Sequence, residues 1–215
     1  MMGKLLLWIE WILLFVVAPV VVGLTLRGAP WLLLLGGITV GAAAWLWRRG
    51  DFSAAHFWRG DNFEAERRQL KALLLRFSLC AVGLIALTFT LFPEKLFELP
   101  RAMPRRWGLL LAAYPALSVY PQELLYRAFF VRRYRRLFRR VEEMLLASAL
   151  VFGWLHVIYQ NPFAVFLALV GGWFFAETYA RTRSLRLVCL EHTLYGSLIF
   201  SVGLGEFFLQ SRLSQ

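Results

Sequence analysis

Residues 5–26 read LLLWIEWILLFVVAPVVVGLTL and contain one charged side chain, Glu10. A helix of about 20 apolar residues is long enough to cross the hydrocarbon core of a bilayer, and this run has that length. The run is longer than the apolar part of a signal peptide, and no small-residue cleavage site follows it. We therefore predict that it is retained as a membrane-spanning helix.

The rest of the chain repeats this pattern. Apolar residues make up 60% of the 215 residues, and the mean hydropathy is +0.60. They occur in long runs rather than in alternating or amphipathic patterns, which excludes a soluble domain. We predict an all-α fold, a polytopic transmembrane helical bundle of about seven membrane-embedded helices. These helices cover residues 5–26, 30–47, 72–92, 107–130, 144–159, 163–180 and 185–204.

No internal repeat, low-complexity tract or long linker divides the chain, which predicts a single membrane domain over residues 1–215. Within it, residues 1–106 supply the N-terminal spans and a short interfacial segment, and residues 107–204 form a second part. Cys80 and Cys189 fall inside predicted spans and are interpreted as small buried hydrophobic residues.

The distribution of basic residues predicts the orientation of the helices. If the helices alternate in direction, one side of the membrane collects sixteen of the 24 Lys and Arg residues and the other side six, while Arg76 and Arg127 lie inside helices. Basic loops stay in the cytoplasm. We therefore predict an integral membrane protein with a cytoplasmic N-terminus.

Residues 132–140 contain six arginines and directly follow a predicted span. The net charge of +11 could indicate a nucleic-acid partner. Basic residues beside a span, however, gain about 1 kcal/mol each at an anionic membrane surface. We therefore predict contact between 132–140 and anionic lipid headgroups, and no nucleic-acid partner.

Charged or titratable side chains inside apolar helices are the candidate functional residues. Each costs about 2.5 to 3.5 kcal/mol near the middle of a span, so each requires a reason to be there. The sequence places eight of them in or near predicted spans: Glu10, Arg76, Glu123, Arg127, His156, Glu177, Glu191 and His192.

Three of these residues suit hydrolytic chemistry. Glu123, His156 and His192 supply a carboxylate and two imidazoles from three predicted helices. They could activate a water, with the glutamate as base and the histidines as oxyanion donors, or bind zinc with a water in the fourth position. Spacing alone does not choose between these, and no His-Glu-x-x-His motif is present. Glu123 and Arg127 are four residues apart, so a purely structural ion pair is the competing interpretation.

Simpler interpretations suffice for other charged residues. Glu177 stands four residues before Arg181, which predicts a local ion pair. Glu10 and Arg76 have no partner that the sequence identifies, and structural pairing is expected. His56 lies in a charged loop, where surface exposure explains it.

Three segments resemble the motifs of the CAAX prenyl protease and bacteriocin-processing (CPBP, or Abi) family of intramembrane endopeptidases. Residues 122–127 read QELLYR, residues 152–156 read FGWLH and residues 192–196 read HTLYG. They are similar to the family's Glu-Glu-x-x-x-Arg, Phe-x-x-x-His and His-x-x-x-Asn motifs, and Phe152 begins the second. Residues 180–185 resemble the Arg-Thr-Gly-Ser-Leu turn before the last motif.

The resemblance implies that a glutamate-activated water attacks a peptide bond of a membrane-associated protein while histidines steady the developing charge. It covers roughly residues 107–200, so residues 107–204 are a CPBP-like core. Glu123 is then the expected base, Arg127 fixes it, and His156 and His192 position water or oxyanion. No cofactor is expected, although older descriptions of the family as metalloproteases keep zinc as an alternative. The resemblance is to bacterial members, which predicts a bacterial inner membrane.

Two residues depart from the family motifs. Gln122 stands where the first Glu would be, and Gly196 stands where the Asn would be. Because an amide cannot accept a proton as a carboxylate does, either Glu123 takes over, Glu191 supplies the base, or the protein no longer cuts. The alternative function is therefore a catalytically inactive membrane protein that binds a partner. A small transporter is a third interpretation, which the lack of an inverted repeat disfavours.

Overall fold

A computed structural model describes residues 2–25, 30–49 and 63–208 of the chain. Every regular element in these ranges is a helix, and no strand occurs in them. The predicted all-α class is therefore confirmed. His56 lies outside the described residues.

The described part of the chain forms eight helices, which are numbered in chain order. Helix α1 runs through Met2–Ile12, Leu13–Val17 and Ala18–Thr25, and α5 is continuous over 104–134. The others are α2 (Pro30–Arg48), α3 (Phe63–Leu91), α4 (Glu98–Ala102), α6 (Val141–Leu155), α7 (Pro162–Thr182) and α8 (Leu185–Val202). Short 3₁₀ turns follow α3, α5, α6 and α8 at Pro93–Lys95, Arg135–Leu137, His156–Tyr159 and Leu204–Phe208.

Five stretches of the described residues are long and apolar enough to cross a membrane: Gly3–Thr25, Phe63–Leu91, Val141–Tyr159, Pro162–Thr182 and Leu185–Val202. Leu33–Arg48 of α2 is a shorter apolar helix. The predicted span 107–130 lies within α5. All seven predicted spans thus fall on helices, and the main difference is that α3 begins at Phe63 instead of residue 72.

Helix α5 changes its winding on either side of its central residues. Pro115–Val119 and Leu124–Phe129 are π-helical, and the turn Tyr120–Glu123 lies between them. Pro115 has no N–H to donate, so the regular hydrogen-bond ladder is interrupted there. Widened turns of this kind occur frequently at functional sites.

The helix ends fall into two groups. At one end, the rings of Phe92 and Phe163 contact Phe207 with centroids 5.9 and 5.1 Å apart, and Tyr159 contacts Phe208 at 5.9 Å. This contact brings together the ends of α3, α6 and α8 with the start of α7. We call it the aromatic end.

The opposite end of the bundle carries ion pairs between helices. Arg133 donates from Nε to Glu10 Oε1 at 2.9 Å, which joins the end of α5 to α1. Arg186 donates to Glu66 at 2.7 Å, which joins the start of α8 to the start of α3. The arginine-rich segments 132–140 and 181–186 both lie here, and we call it the arginine end.

Two glycines allow α6 and α7 to approach closely. A Cβ on Gly153 would lie 2.3 Å from Leu169 Cγ, and a Cβ on Gly172 would lie 3.1 Å from the Ala149 carbonyl oxygen. Membrane helices that pack through small residues gain van der Waals contact that lipid tails do not supply. Helices α6 and α7 are therefore closely packed against each other.

The variant Gly153→Ala tests that packing. The added methyl group must displace Leu169, and overpacking of this kind costs about 1 to 3 kcal/mol. We expect a lower midpoint of thermal unfolding in detergent. Gly108→Ala on α5 is the control, because no atom lies within 4 Å of its Cβ position. Equal midpoints for the two variants would contradict the close packing.

Candidate functional site

A cavity of about 1010 Å³ lies between α3, α5, α6, α7 and α8. Its wall is mostly apolar, which suits an apolar segment as occupant. Polar side chains of α5, the turn after α6 and α8 also line it, among them Tyr114, Ser118, Gln122, His156 and His192. The candidate site is this cluster and the residues behind it.

A chain of three side chains runs from the protein interior to the cavity. Glu123 is fully buried, and its Oε1 lies 2.7 Å from His192 Nδ1. The other ring nitrogen, Nε2, lies 3.0 Å from the Tyr114 hydroxyl. The carboxylate accepts from Nδ1–H, so it fixes the orientation of the imidazole. His192 also stacks on Phe175, with ring centroids 4.7 Å apart.

Arg127 holds the second oxygen of Glu123. Its Nε lies 3.1 Å from Oε2 as an ion pair without hydrogen-bond alignment. Its other nitrogens donate to the Ser148 hydroxyl at 2.6 Å and to the Gly172 carbonyl at 3.2 Å, so the guanidinium links α5 to α6 and α7. The guanidinium also lies over the Phe152 ring at 4.9 Å. Arg127 is fully buried, away from the cavity wall.

His156 lies directly after α6, at the end that faces α7. It begins the 3₁₀ turn that follows α6, and its Nδ1 donates to the Phe152 carbonyl at 2.9 Å. That bond fixes the tautomer in which Nε2 carries a lone pair. Because His156 lines the cavity, Nε2 is left for a water or a substrate.

The two positions that depart from the family motifs both face the cavity. Gln122 donates from Nε2 to the Ser118 hydroxyl at 2.7 Å, and its Oε1 has no hydrogen-bond partner among the described residues. Gly196 lies against Tyr114, where an added Cβ would be 2.2 Å from the hydroxyl oxygen. The missing side chain at residue 196 therefore lets Tyr114 reach His192.

The predicted site residues separate into two groups in the structure. His156, His192, Gln122, Phe152 and Gly196 line the cavity, whereas Glu123 and Arg127 are buried behind it. Glu123, the predicted base, does not line the cavity; its Oε1 contacts His192, which does.

Glu191 points away from the candidate site. It is fully buried and pairs with Arg76 of α3 at 2.5 Å, and Arg76 also contacts Glu177 at 2.7 Å. Glu191 precedes His192 by one position on the helix, and a step of about 100° per residue turns it toward α3. It therefore does not supply a second carboxylate to the cavity. The predicted ion pair between Glu177 and Arg181 is present at 2.6 Å.

The zinc alternative lacks an assembled donor set. Nowhere in residues 2–25, 30–49 and 63–208 do three His, Cys, Asp or Glu side chains converge where they could hold one metal ion. Of the three residues considered from the sequence, Glu123 and His192 are bonded to each other, and His156 Nδ1 is bonded to backbone. In the described ranges these three side chains therefore do not present three ligands to one zinc ion.

Sequence reasoning missed Tyr114 and Ser118. Both are polar residues of α5 that precede Gln122 at intervals of four, so the three positions share one side of the helix. That spacing of polar residues along an apolar helix is the signal that would have found them.

A model of the family described as type II CAAX prenyl endopeptidase Rce1-like matches residues 104–198. The match begins with α5 and ends within α8, and it includes every predicted motif. It confirms the resemblance to the CPBP family and supports a protease of the CAAX endopeptidase type. No curated protein and no solved structure matches the chain.

The variant Arg127→Met tests the ion pair behind the site. Removing one partner of a buried pair leaves an uncompensated charge and costs about 3 to 5 kcal/mol. We expect a large fall in the thermal unfolding midpoint in detergent, and a partial recovery when Glu123→Gln is added. Arg181→Met is the control, because its ion pair is largely exposed and contributes about 0 to 1 kcal/mol. Similar midpoints for Arg127→Met and Arg181→Met would contradict the assignment.

Proposed function

We propose that this chain, whose residues 104–198 belong to the Rce1-like family, is an intramembrane endopeptidase that uses water to hydrolyse a peptide bond of a membrane-associated protein. The observation that supports it is the convergence of His156, Tyr114 and the His192–Glu123 pair on one apolar cavity. Such a cavity excludes bulk water, and polar groups act more strongly there than in solution.

His156 is the proposed general base. His156 lines the cavity, and the bond from Nδ1 to the Phe152 carbonyl leaves the lone pair on Nε2. General-base catalysis requires a lone pair within reach of the attacking water. His156 takes a proton from the water, and the hydroxide forms a bond to the carbonyl carbon. The C–N bond then breaks as His156 returns the proton to the amide nitrogen. The products are a carboxylic acid and an amine.

Glu123 acts in this proposal through His192, as a positioning residue. Tyr114 lines the cavity beside His192, and its hydroxyl is the proposed donor to the developing oxyanion. The guanidinium of Arg127 lies behind this group, 3.1 Å from the Glu123 carboxylate. A preorganised positive field at the site of a developing negative charge is the largest contribution in many hydrolases.

A specific observation also favours the non-catalytic alternative. Glu98 and Glu206 are the carboxylates on the described cavity wall, and both lie at the aromatic end. Beside the histidines the wall carries the Gln122 amide, which cannot accept a proton. A protein that binds an apolar membrane segment without cutting it would have the same wall.

Mass spectrometry of membrane-protein termini distinguishes the two functions. In cells that carry the wild-type chain, we expect a specific set of new N- and C-termini. These should fall by about 10²- to 10⁴-fold with His156→Ala, because that variant removes the base. Tyr114→Phe should lower them by about 10²- to 10³-fold, as loss of an oxyanion donor does. Arg181→Met is the control at equal expression, and unchanged termini in both site variants would contradict the hydrolase.

The variant Gln122→Glu tests whether the amide has ended catalysis. If the wild-type chain is a hydrolase, its termini are already present and the variant changes their abundance. If new termini appear only with Gln122→Glu, the wild-type chain is the inactive partner-binding protein. Gln122→Met has similar volume and no carboxylate, so it should not produce them.

A further inference from the structure

The cavity occupies only one half of the bundle. Helices α3 and α8 line it mainly with their second halves, α6 with its last turn, α5 with residues 106–122 and α7 with its middle, residues 167–175. Apart from the middle of α7, these parts of the helices lie toward the aromatic end. The cavity therefore extends from the level of Gln122 and His192 toward that end.

The aromatic end also carries the mouth of the cavity. Glu98, Arg106 and Glu206 are exposed to solvent and line the cavity at the same time. Charged side chains at the edge of an apolar cavity mark the place where it meets water. Lys95, which pairs with Glu206, adds a further charge at this edge.

The path toward the arginine end is closed by protein. Residues 122–131 of α5 are all buried, and they continue from the cavity floor toward the arginine end. Arg127 fills the space between α5, α6 and α7, and Tyr134 beyond it is fully buried and donates to Glu10 at 2.8 Å. A substrate cannot reach the cavity along this route without displacing the buried ion pair.

The two ends of the bundle differ in their number of basic residues, and this difference determines how a membrane protein is oriented. The arginine end carries the arginine-rich segments and the starts of α1 and α3, whereas the aromatic end carries the smaller group of basic residues. The contact between Glu10 and Arg133 places the first half of α1 beside the end of α5. The opposite directions of these two helices are therefore seen in a contact as well as predicted from hydropathy. Basic segments of membrane proteins remain in the cytoplasm.

We infer that the cavity opens on the non-cytoplasmic face of the membrane, so its occupant enters from outside the cytoplasm. The apolar wall selects an apolar segment, and the mouth at the membrane surface selects one that is anchored or exported. If the chain is the proposed endopeptidase, its substrates are exported or membrane-anchored polypeptides that are cut near the outer surface. This last step rests on the proposed function. Soluble cytoplasmic peptides are then excluded as substrates.

Labelling of single cysteines tests this orientation. In a chain with Cys80→Ala and Cys189→Ala, Glu98→Cys marks the mouth and Arg136→Cys marks the arginine end. Both positions are exposed. A membrane-impermeant maleimide should label Glu98→Cys in right-side-out vesicles and Arg136→Cys in inside-out vesicles. The reverse pattern, or labelling of each site from both sides, would overturn the inference.

A second measurement separates this inference from the proposed function. Orientation is read from labelling and requires no cleavage. If the labelling is as expected but no termini depend on His156, the hydrolase fails while the outward-facing cavity stands as a binding site. If termini do depend on His156, attaching a bulky maleimide to Glu98→Cys from outside should block their formation. Continued cleavage with the mouth blocked would overturn entry from that face.

Discussion

The ion pair between Glu123 and Arg127 is the constraint on which the rest of the site depends. Removing two charges from water costs several kcal/mol for each ion, and only good geometry with further hydrogen bonds offsets that cost. Here the further bonds go to His192 of α8, Ser148 of α6 and Gly172 of α7. One pair on α5 therefore fixes the positions of three neighbouring helices. The same bonds present the imidazole of His192 to the cavity.

Ion pairs between helices recur through the bundle. Glu10 binds Arg133, and Arg76 binds both Glu177 and Glu191. An unpaired charge in hydrocarbon is costly, so these long-range pairs determine which helices are neighbours. The pair between Arg76 and Glu191 also explains why a glutamate next to His192 in sequence takes no part in the site. Its carboxylate stabilises the contact between α3 and α8.

The arrangement of the site differs from what the family motifs alone would predict, because neighbouring helices determine which side chains reach the cavity. Gly196 leaves room for Tyr114, and Tyr114 then supplies a hydroxyl beside His192. Gln122 turns toward the cavity and Glu123 toward the interior, since successive residues of a helix point in directions about 100° apart. A change of one position in the motif thus exchanges a side chain on the cavity wall for one buried behind it.

The class of fold, the approximate positions of the apolar helices, the resemblance to a protease family and the candidate site residues could all be predicted from the sequence. These follow from hydropathy, from motif order and from the cost of charge in hydrocarbon, which are local properties of the chain. The packing of the helices was needed to show that Glu123 lies behind His192, that Glu191 faces α3 and that Tyr114 joins the site. Those relations depend on the rotation and approach of helices far apart in sequence, because close packing fixes which faces meet and no single helix carries that information.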